Sequence, residues 1–431
     1  MNTSCARVPL RNHGSNVIRS FVFVVAGCLL IGVARAKPPR VFLLDASRLE
    51  KAKRLLSRED IRVITAWTAL KQQADTALRA TAPSVLDGPP PPSGDTHDYF
   101  SLSIYWWPNP KTETGLPYVR RDGRVNPEVD RYDLPRINAM ARDVETLALA
   151  YYFSGRRSYA RKAAELLRVW FLDEETKMNP NMKYAQTVPG VSEGRREAII
   201  ESVVLATRVV DAVGLIGTSQ AWSERDQQQI KQWFSLYLHW LQTSRQGKEE
   251  SLNINNHGTW YDVQRVAFAL FSGNKALARK FFGNDVDGAA HLRREPPNLM
   301  SVRDRINLQF SPDGSQPAEL ARTKSFDYSC YNLDAMFALV ALGQSVDVDL
   351  WGYRGRKGRS IPGALDYLVQ FLDPKLKWKH KQIYERDRGK RLAPFLHRAA
   401  YQFEDRKYRP LALKHPLASR DRLNLLVPPV R

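Results

Sequence analysis

INAMARDVETLALAY, residues 137–151, repeats its apolar side chains at steps of three and four residues. The stripe consists of Ile137, Met140, Ala141, Val144, Leu147, Ala148 and Tyr151. On an α-helix this spacing places all seven side chains on one face, where they can pack against a second helix. The segment therefore predicts an amphipathic helix with a buried face.

The same periodicity recurs along most of the chain on both sides of this segment. Further helical stretches are predicted at about 46–80, 157–172, 194–214, 230–241, 257–272, 316–343, 361–372 and 390–405. They are separated by Gly, Pro or Asn, and no long alternating strand pattern competes with them. The sequence predicts an all-α fold of about ten to fourteen helices, packed as hairpins into a bundle or ring.

The amino terminus has the pattern of a secretory signal. Arg11 and Arg19 precede the apolar run 21–33, and Ala34-Arg35-Ala36 fits the cleavage site of a signal peptidase. We expect residues 1–36 to be removed and residues 37–431 to form one exported domain, periplasmic or secreted. A lipoprotein anchored through Cys28 is less favoured, because most of the apolar run would then follow the modified cysteine. No later stretch is long and apolar enough to cross a membrane.

The charge of the chain indicates the kind of partner. The full sequence has 65 Lys and Arg against 45 Asp and Glu, a net charge of +20. Residues 1–36 contain four Arg and no acid, so the mature chain keeps a net charge of +16. Such a charge favours nucleic acid, anionic lipid or acidic polysaccharide as a partner. Export argues against nucleic acid.

Cysteine usage limits the chemistry further. Cys5 and Cys28 belong to the signal segment, which leaves Cys330 alone in the mature chain. We therefore expect no intramolecular disulfide and no cysteine metal cluster. The sequence predicts neither a metal nor a cofactor.

The region 97–134 is long, aromatic and poor in helix signals. A loop of this length in a folded domain is usually functional or disordered, and its aromatic content argues against disorder. Tyr105, Trp106 and Trp107 could stack on sugar rings. An equally good interpretation is that the two tryptophans only fix the loop to the helical body.

Three other segments carry residues suited to a site. Asn256 and His257 open a helix, where the helix dipole disfavours the cationic form of the imidazole. Taken alone, the pair is more often a capping Asn and a surface His. Arg322 and Tyr328 lie six residues apart, about 240° around an ideal helix, so they share one site only if the helix is interrupted. Otherwise Tyr328 would be a core residue and Arg322 would pair with Glu319.

The third segment is a loop, residues 179–196, that leads into the next predicted helix. Tyr184, Gln186 and Arg195 stand in it. Gln186 and Arg195 could bind a polar ligand, although loop hydrogen bonding is the commoner role for such residues.

Together these segments resemble the alginate lyase family of helical-toroid polysaccharide lyases. The matching motifs, in chain order, are HDYFSL at 97–102 with YWWPNP at 105–110, GLPYVRRDG at 115–123, YAQ at 184–186, NNHGTW at 255–260 and ELARTKS at 319–325 with Tyr328. The resemblance spans residues 45–400. The spacing from Arg322 to Tyr328 is one residue shorter than in better-known members, which is typical of a divergent branch.

The resemblance implies an (α/α) toroid that cleaves a polyuronate by β-elimination. Asn256 would neutralise the C6 carboxylate, and His257 would act as a base or a carboxylate partner. Arg322 would stabilise charge, and Tyr328 would be the base, the acid or both, its pKa lowered by the nearby arginine. The aromatic residues expected to bind substrate are Tyr105, Trp106, Trp107, Tyr184, Trp260, Tyr261 and Tyr331, together with the polar Gln186 and Arg195.

Two other functions remain open from the residues alone. A glycoside hydrolase on the same scaffold would need two carboxylates about 5–9 Å apart. Asp98, Asp313, Glu319 and Asp327 are available, and no pair of them stands out. A non-catalytic binder of acidic glycans would need only the positive charge.

Overall fold

The computed structural model describes residues 38–283, 300–384 and 386–428. The expected signal segment, residues 1–36, lies outside the described residues. The α-helices are α1 Ala46–Leu56, α2 Ile61–Ala77, α3 Asp133–Ser154, α4 Arg157–Phe171, α5 Val210–Ile216, α6 Glu224–Thr243, α7 Arg245–Ser251, α8 Asn256–Phe271, α9 Lys275–Phe282, α10 Val302–Gln309, α11 Pro317–Leu320, α12 Ser325–Gln344, α13 Ile361–Val369, α14 Arg388–His397, α15 Arg409–Lys414 and α16 Leu423–Leu426.

The apolar stripe of residues 137–151 lies on α3, as predicted. Ile137, Met140 and Val144 are fully buried. The helix ends at Gly155, whose φ of +69° is the left-handed conformation that glycine adopts without a steric penalty. Burial of this stripe against neighbouring helices stabilises α3, because in folded proteins most of a helix's stability comes from the packing of its apolar face.

Helices adjacent in sequence pack together around this element. α3 contacts α2, α4 and α5, and α8 contacts α6, α9 and α12. The carboxy-terminal α16 packs against α1 and α2, so the two ends of the described chain meet. The described residues thus form the all-α, (α/α)-toroid architecture that the sequence predicted.

Three of the predicted helical stretches are interrupted, and this part of the prediction was wrong. The stretch 46–80 divides into α1 and α2, with residues 57–60 outside both helices. Residues 196–216 form a 3₁₀ segment, a π-helical turn and then α5, instead of one helix. The stretch 316–343 divides into α11 and α12, with residues 321–324 outside both helices. The break between α11 and α12 bears directly on the site, because Arg322 lies in it and Tyr328 lies on α12.

Within the described residues, four short strands interrupt the helical pattern. β1 Phe100–Leu102 pairs in parallel with β4 Tyr184–Thr187. β2 Trp106–Trp107 pairs antiparallel with β3 Val119–Arg120, which places Trp106 opposite Arg120. The aromatic region 97–134 is therefore ordered by strand pairing. Among the helices described, none has the length and apolar character needed to cross a membrane.

Candidate active site

The break between α11 and α12 brings Arg322 and Tyr328 together. The guanidinium carbon of Arg322 lies 3.9 Å from the centre of the Tyr328 ring. This is a cation–π contact, which is stronger where water is partly excluded. The interruption that the sequence left open is thus present, and both side chains belong to one cluster.

Tyr105 joins this cluster from the aromatic region. Its hydroxyl oxygen lies 2.9 Å from that of Tyr328, within hydrogen-bonding distance. Burial, followed by the hydrogen bond with Tyr105, raises the pKa of Tyr328 well above its ordinary range, although Arg322 acts in the opposite direction. The expected lowering of the Tyr328 pKa by arginine was wrong, because loss of solvation outweighs the effect of the cation.

Asp122 holds Arg322 in place. Its carboxylate accepts hydrogen bonds from Arg322 Nη2 at 3.0 Å and from Thr323 Oγ1 at 2.8 Å. Burial acts the other way, but these two donors lower the pKa of Asp122, which therefore stays ionised. Gly123, at a φ of +79°, lets the turn approach closely, since a Cβ there would lie 2.8 Å from Thr323 Oγ1. The proposed surface pair of Arg322 with Glu319 does not form.

Glu319 instead orients Asn256. The Asn256 side chain is buried, and its Nδ2 donates to both carboxylate oxygens of Glu319, at 3.0 and 2.9 Å. The two oxygens of one carboxylate subtend a much smaller angle at nitrogen than the two amide hydrogens do. One hydrogen therefore serves both oxygens in a three-centre bond, and the second remains for another acceptor.

Burial, opposed by the hydrogen bonds from Asn256, raises the pKa of Glu319. The charges of Arg322 and His257 both act on this carboxyl group, in the direction that lowers its pKa. Glu319 thus stands among Asn256, His257 and Arg322, and it places these three predicted catalytic residues in one neighbourhood.

Behind His257 lies a second buried acid, Glu250. The Nδ1 atom of His257 is 2.6 Å from Glu250 Oε1, and the carboxylate is fully buried. Arg196 and Asn253 both donate to the other oxygen, at 2.8 Å. Because a carboxylate only accepts, Nδ1 carries a hydrogen, and Nε2 is the ring nitrogen left to face a ligand. His257 is therefore oriented by its partner, unlike a surface histidine.

The loop residues form the next part of the surroundings. The Arg195 guanidinium carbon lies 5.5 Å from the centre of the Trp106 ring, and Arg195 Nη2 donates to Glu197 at 2.7 Å. The nearby charge of Arg120 contributes to lowering the pKa of Arg195, after burial itself. This wall of the site is therefore cationic and aromatic at once, which suits an acidic sugar.

The remaining residues that were predicted to bind substrate divide into two groups. Gln186, Trp260 and Tyr331 line one cavity of about 750 Å³, and the rings of Trp260 and Tyr331 lie 5.2 Å apart. Trp107 is fixed through a hydrogen bond from its Nε1 to the Arg124 carbonyl at 3.0 Å, which is the anchoring role considered above.

Tyr184 and Tyr261 were expected to bind substrate, but both are buried. The Tyr261 hydroxyl donates to the Leu241 carbonyl at 3.0 Å within the core. Tyr184 lies in β4, and Lys183 Nζ is 4.9 Å from the centre of its ring. Tyr261 therefore has a packing role, and the expectation that it lies in the site was wrong.

The carboxylates considered for a hydrolase have separate partners. Asp98 accepts from Ser93 and Asn179, and Asp327 accepts from Gln382. Asp313 caps its own turn through the Ser315 amide. Glu319 accepts hydrogen bonds from Asn256. Each of these four acids therefore has its own hydrogen-bond partners, and no two of them form the carboxylate pair that a hydrolase needs.

Sequence reasoning did not assign roles to Asp122 and Glu250. Asp122 lies in an Arg-Asp-Gly turn 200 residues before Arg322, and Glu250 precedes His257 by seven residues on another helix. The spacing of seven residues would match two turns of one helix, but Glu250 and His257 stand on separate helices, and the spacing of 200 residues matches no local period. Only the tertiary fold brings these acids to their partners.

Comparison with known proteins identifies the family. Residues 87–378 match the Alginate lyase family model. The chain belongs to the alginate lyase family. Family membership makes it a polysaccharide lyase and sets the hydrolase and the non-catalytic binder aside.

Solved structures agree with this family. The chain is similar to an alginate lyase from Bacteroides ovatus, with 36% identity and a TM-score of 0.82, over 90% of this chain and 99% of that one. It shares its fold with alginate lyase A1-III from Sphingomonas species A1, with 17% identity and a TM-score of 0.50, over 84% of this chain and 95% of that one.

A variant of A1-III complexed with a tetrasaccharide gives 15% identity and a TM-score of 0.53, over 85% of this chain and 96% of that one. A comparison with curated protein sequences gives no significant match.

Proposed function

We propose that this alginate lyase family member cleaves a β-1,4-linked polyuronate, alginate or a related glucuronan, by β-elimination. The products would carry 4,5-unsaturated uronate ends. The observation that supports this most is the cluster of Arg322, Tyr328 and Tyr105, with Asn256 and His257 held nearby by buried acids. The relative from Bacteroides ovatus is described as an alginate lyase.

The reaction explains why these residue types are needed. The C5 proton of a uronate is weakly acidic, and its removal moves negative charge onto the adjacent carboxylate. The C5–H electron pair forms the C4=C5 double bond as the C4–O4 bond breaks, and O4 takes a proton. Donors aimed at the carboxylate stabilise the charge that develops there, in the manner of an oxyanion hole.

In this proposal Tyr328 transfers the proton in both steps. Its phenolate removes the C5 proton, and the resulting phenol returns a proton to O4. Arg322, 3.9 Å from the ring centre, stabilises the phenolate, and Asp122 fixes the position of Arg322. Because the pKa of Tyr328 is high, the phenol must first release its proton to water, and the phenolate stabilised by Arg322 then acts as the base.

In this proposal Asn256 and His257 neutralise the C6 carboxylate of the substrate. The free amide hydrogen of Asn256 donates to the C6 carboxylate while Glu319 holds the amide plane. A protonated Nε2 of His257 donates to the same group, and Glu250 stabilises that protonated ring from behind. Trp106 and Arg195 bind a neighbouring sugar through its apolar face and its carboxylate.

The proposal includes the destination of the chain. Export through residues 1–36 would deliver residues 37–431 to the periplasm or the medium, where polyuronates occur. Mass spectrometry of protein recovered after export tests this directly. A mature chain that begins at Lys37 is expected, and retention of residues 1–36 would contradict it.

A panel of polymers tests the activity itself. The mature protein is incubated with polymannuronate, polyguluronate, glucuronan, hyaluronan and pectate, and ultraviolet absorbance is followed. Because the product double bond is conjugated with the carboxylate, absorbance rises only if elimination occurs. We expect a rise on an alginate block or on glucuronan. A rise confined to pectate or hyaluronan would contradict the proposed substrate class.

A further inference from the structure

A run of basic residues lies beside the site and has no role in the account above. Residues 375–381 read KLKWKHK, so that every second residue is a lysine. We call Lys375, Lys377, Lys379 and Lys381 the lysine strip. All four are exposed, whereas Trp378 between them is half-buried. The segment therefore presents its charges to solvent while one aromatic ring faces the body.

Trp378 attaches the strip to the helices. Its ring centre lies 4.8 Å from that of Phe371 and 5.1 Å from that of Phe326, in edge-to-face geometry. Its Nε1 donates to Ser325 Oγ at 2.8 Å. These contacts give the segment a fixed position, so the four lysines project from an anchored part of the surface.

Backbone hydrogen bonds align the end of the strip with the loop that carries Arg322. The Lys381 carbonyl accepts from the Ser325 amide at 3.1 Å, and the Ile383 amide donates to the Thr323 carbonyl at 3.0 Å. An antiparallel bridge joins Lys324 to Gln382 between them. The strip therefore begins next to the α11–α12 break and leads away from it.

A short path of side chains connects this end to the catalytic cluster. Lys324 Nζ lies 5.0 Å from the ring centre of Tyr384, which is 49% exposed, and 6.0 Å from that of Tyr105. Tyr105 in turn is bonded to Tyr328. An exposed aromatic ring and a further cation thus continue the strip up to the site.

The charges of the strip are available to a ligand. Within residues 38–283, 300–384 and 386–428, none of its four lysines forms an ion pair with an acid. From Lys375 to Tyr384 the chain can span at most about 30 Å, which is enough to contact several consecutive sugars. Fixed, unpaired cations next to a cleft raise the local concentration of a polyanion.

We propose that the lysine strip, with Lys324 and Tyr384, binds the polyuronate chain outside the catalytic cleft, so that a long polymer is held beyond the sugars being cleaved. This rests on the proposed function, because it takes the same polymer as the ligand. The strip contributes to polymer affinity and leaves the chemical step unchanged.

The test compares long and short substrates. The double variant Lys377→Gln/Lys379→Gln is expected to raise KM for long polyuronate about three- to tenfold, with kcat and the KM for a tetrasaccharide unchanged. Added salt should remove the difference, because it screens exposed charges. An unchanged KM for polymer, or an equal rise on the tetrasaccharide, overturns the proposal.

The matched control is Lys275→Gln/Lys280→Gln on α9. Both lysines are exposed, and they follow the far end of α8, about 24 Å along the helix from Asn256. This control should keep the wild-type KM on both substrates. A rise equal to that of the strip variant would show a general effect of net charge and would overturn the proposal.

Binding without turnover separates the two proposals. In native gels containing alginate, the Tyr328→Phe protein should be retarded, and the same protein with the Lys377 and Lys379 substitutions should migrate faster. If the wild type gives no ultraviolet product while this difference persists, the proposed function fails and the strip stands. If product forms and the gels show no difference, the strip fails.

Discussion

Arg322 and Tyr328 lie six residues apart in the chain, and their side chains are stacked, with 3.9 Å between the guanidinium carbon and the ring centre. A continuous helix would turn the two side chains to different faces. The break at residues 321–324 removes that constraint, and Asp122 then fixes the arginine. The stacking is the feature from which the proposed proton transfer follows.

Removal of the Tyr105 hydroxyl should shift the pH dependence of the reaction. The hydrogen bond with Tyr105 raises the pKa of Tyr328, so Tyr105→Phe lowers that pKa. More Tyr328 is then ionised at a given pH, and the rising limb of kcat/KM moves to lower pH. Steady-state kinetics across the neutral and alkaline range provide the measurement.

Tyr118→Phe is the matched control for this shift. Tyr118 is also in the aromatic region, but its hydroxyl donates to Glu128 at 2.7 Å. Its pH profile should coincide with that of the wild type. A Tyr105→Phe profile that stays in place or moves to higher pH contradicts the role given to Tyr328.

Replacement of Glu250 should change which ring nitrogen of His257 is protonated, although Glu250 itself does not contact the substrate in the proposed mechanism. In Glu250→Gln the amide oxygen turns to Arg196 and Asn253, which are both donors, and the amide NH₂ then faces Nδ1. The ring is forced into the Nε2–H form and loses its negative partner. We expect kcat/KM to fall about 10- to 100-fold. ¹⁵N NMR of the imidazole reports which nitrogen is protonated.

Glu249→Gln serves as the comparison for this variant. Glu249 stands on the same helix, but it is exposed, and its ion-pair partner among the described residues is Arg245 at 3.6 Å. Its activity should remain near wild type. Should Glu250→Gln retain both full activity and the Nδ1–H form, the orienting role of Glu250 is wrong.

The fold was largely predictable because helices need only local periodicity. The stripe on α3 is read directly from residues 137–151. The break between α11 and α12 was not predictable, since residues 321–324 carry no Gly or Pro. Contacts with Asp122 and with residues 381–383 hold that loop, and these are set by the tertiary structure.

Stability should depend on pH through the buried Glu201. Burial raises the pKa of Glu201 to about 7, against an ordinary value of 4.5, although Ser101 and Tyr99 donate to it. Between these values the folded state binds a proton that the unfolded state has released. The free energy of unfolding therefore falls as pH rises through this window and stays low above it.

Glu201→Gln removes this titration. Its free energy of unfolding should fall less between pH 5 and pH 8 than that of the wild type, by up to about 3 kcal/mol. Urea denaturation at the two pH values measures the difference. Glu174→Gln, at an exposed position, should behave as the wild type does. Equal pH dependence in Glu201→Gln and wild type would refute this origin of the effect.

The candidate site was predictable in part, from its side chains but not from their partners. Asn256, His257, Arg322 and Tyr328 stand in short motifs. The structure gathers the first three around Glu319 and places Tyr328 against Arg322. Tyr261 shows the limit of such motifs. It follows Trp260 directly, but on a helix the next residue points about 100° away, and here it enters the core.

The most direct test of the account is the rate of unsaturated product formation by Tyr328→Phe, set against the wild type on the same polyuronate. Ultraviolet absorbance gives the rate, and retardation in alginate gels gives the binding. Because phenylalanine can neither remove the C5 proton nor protonate O4, we expect the rate to fall about a thousandfold with binding retained. A Tyr328→Phe protein that forms unsaturated product at the wild-type rate would contradict it.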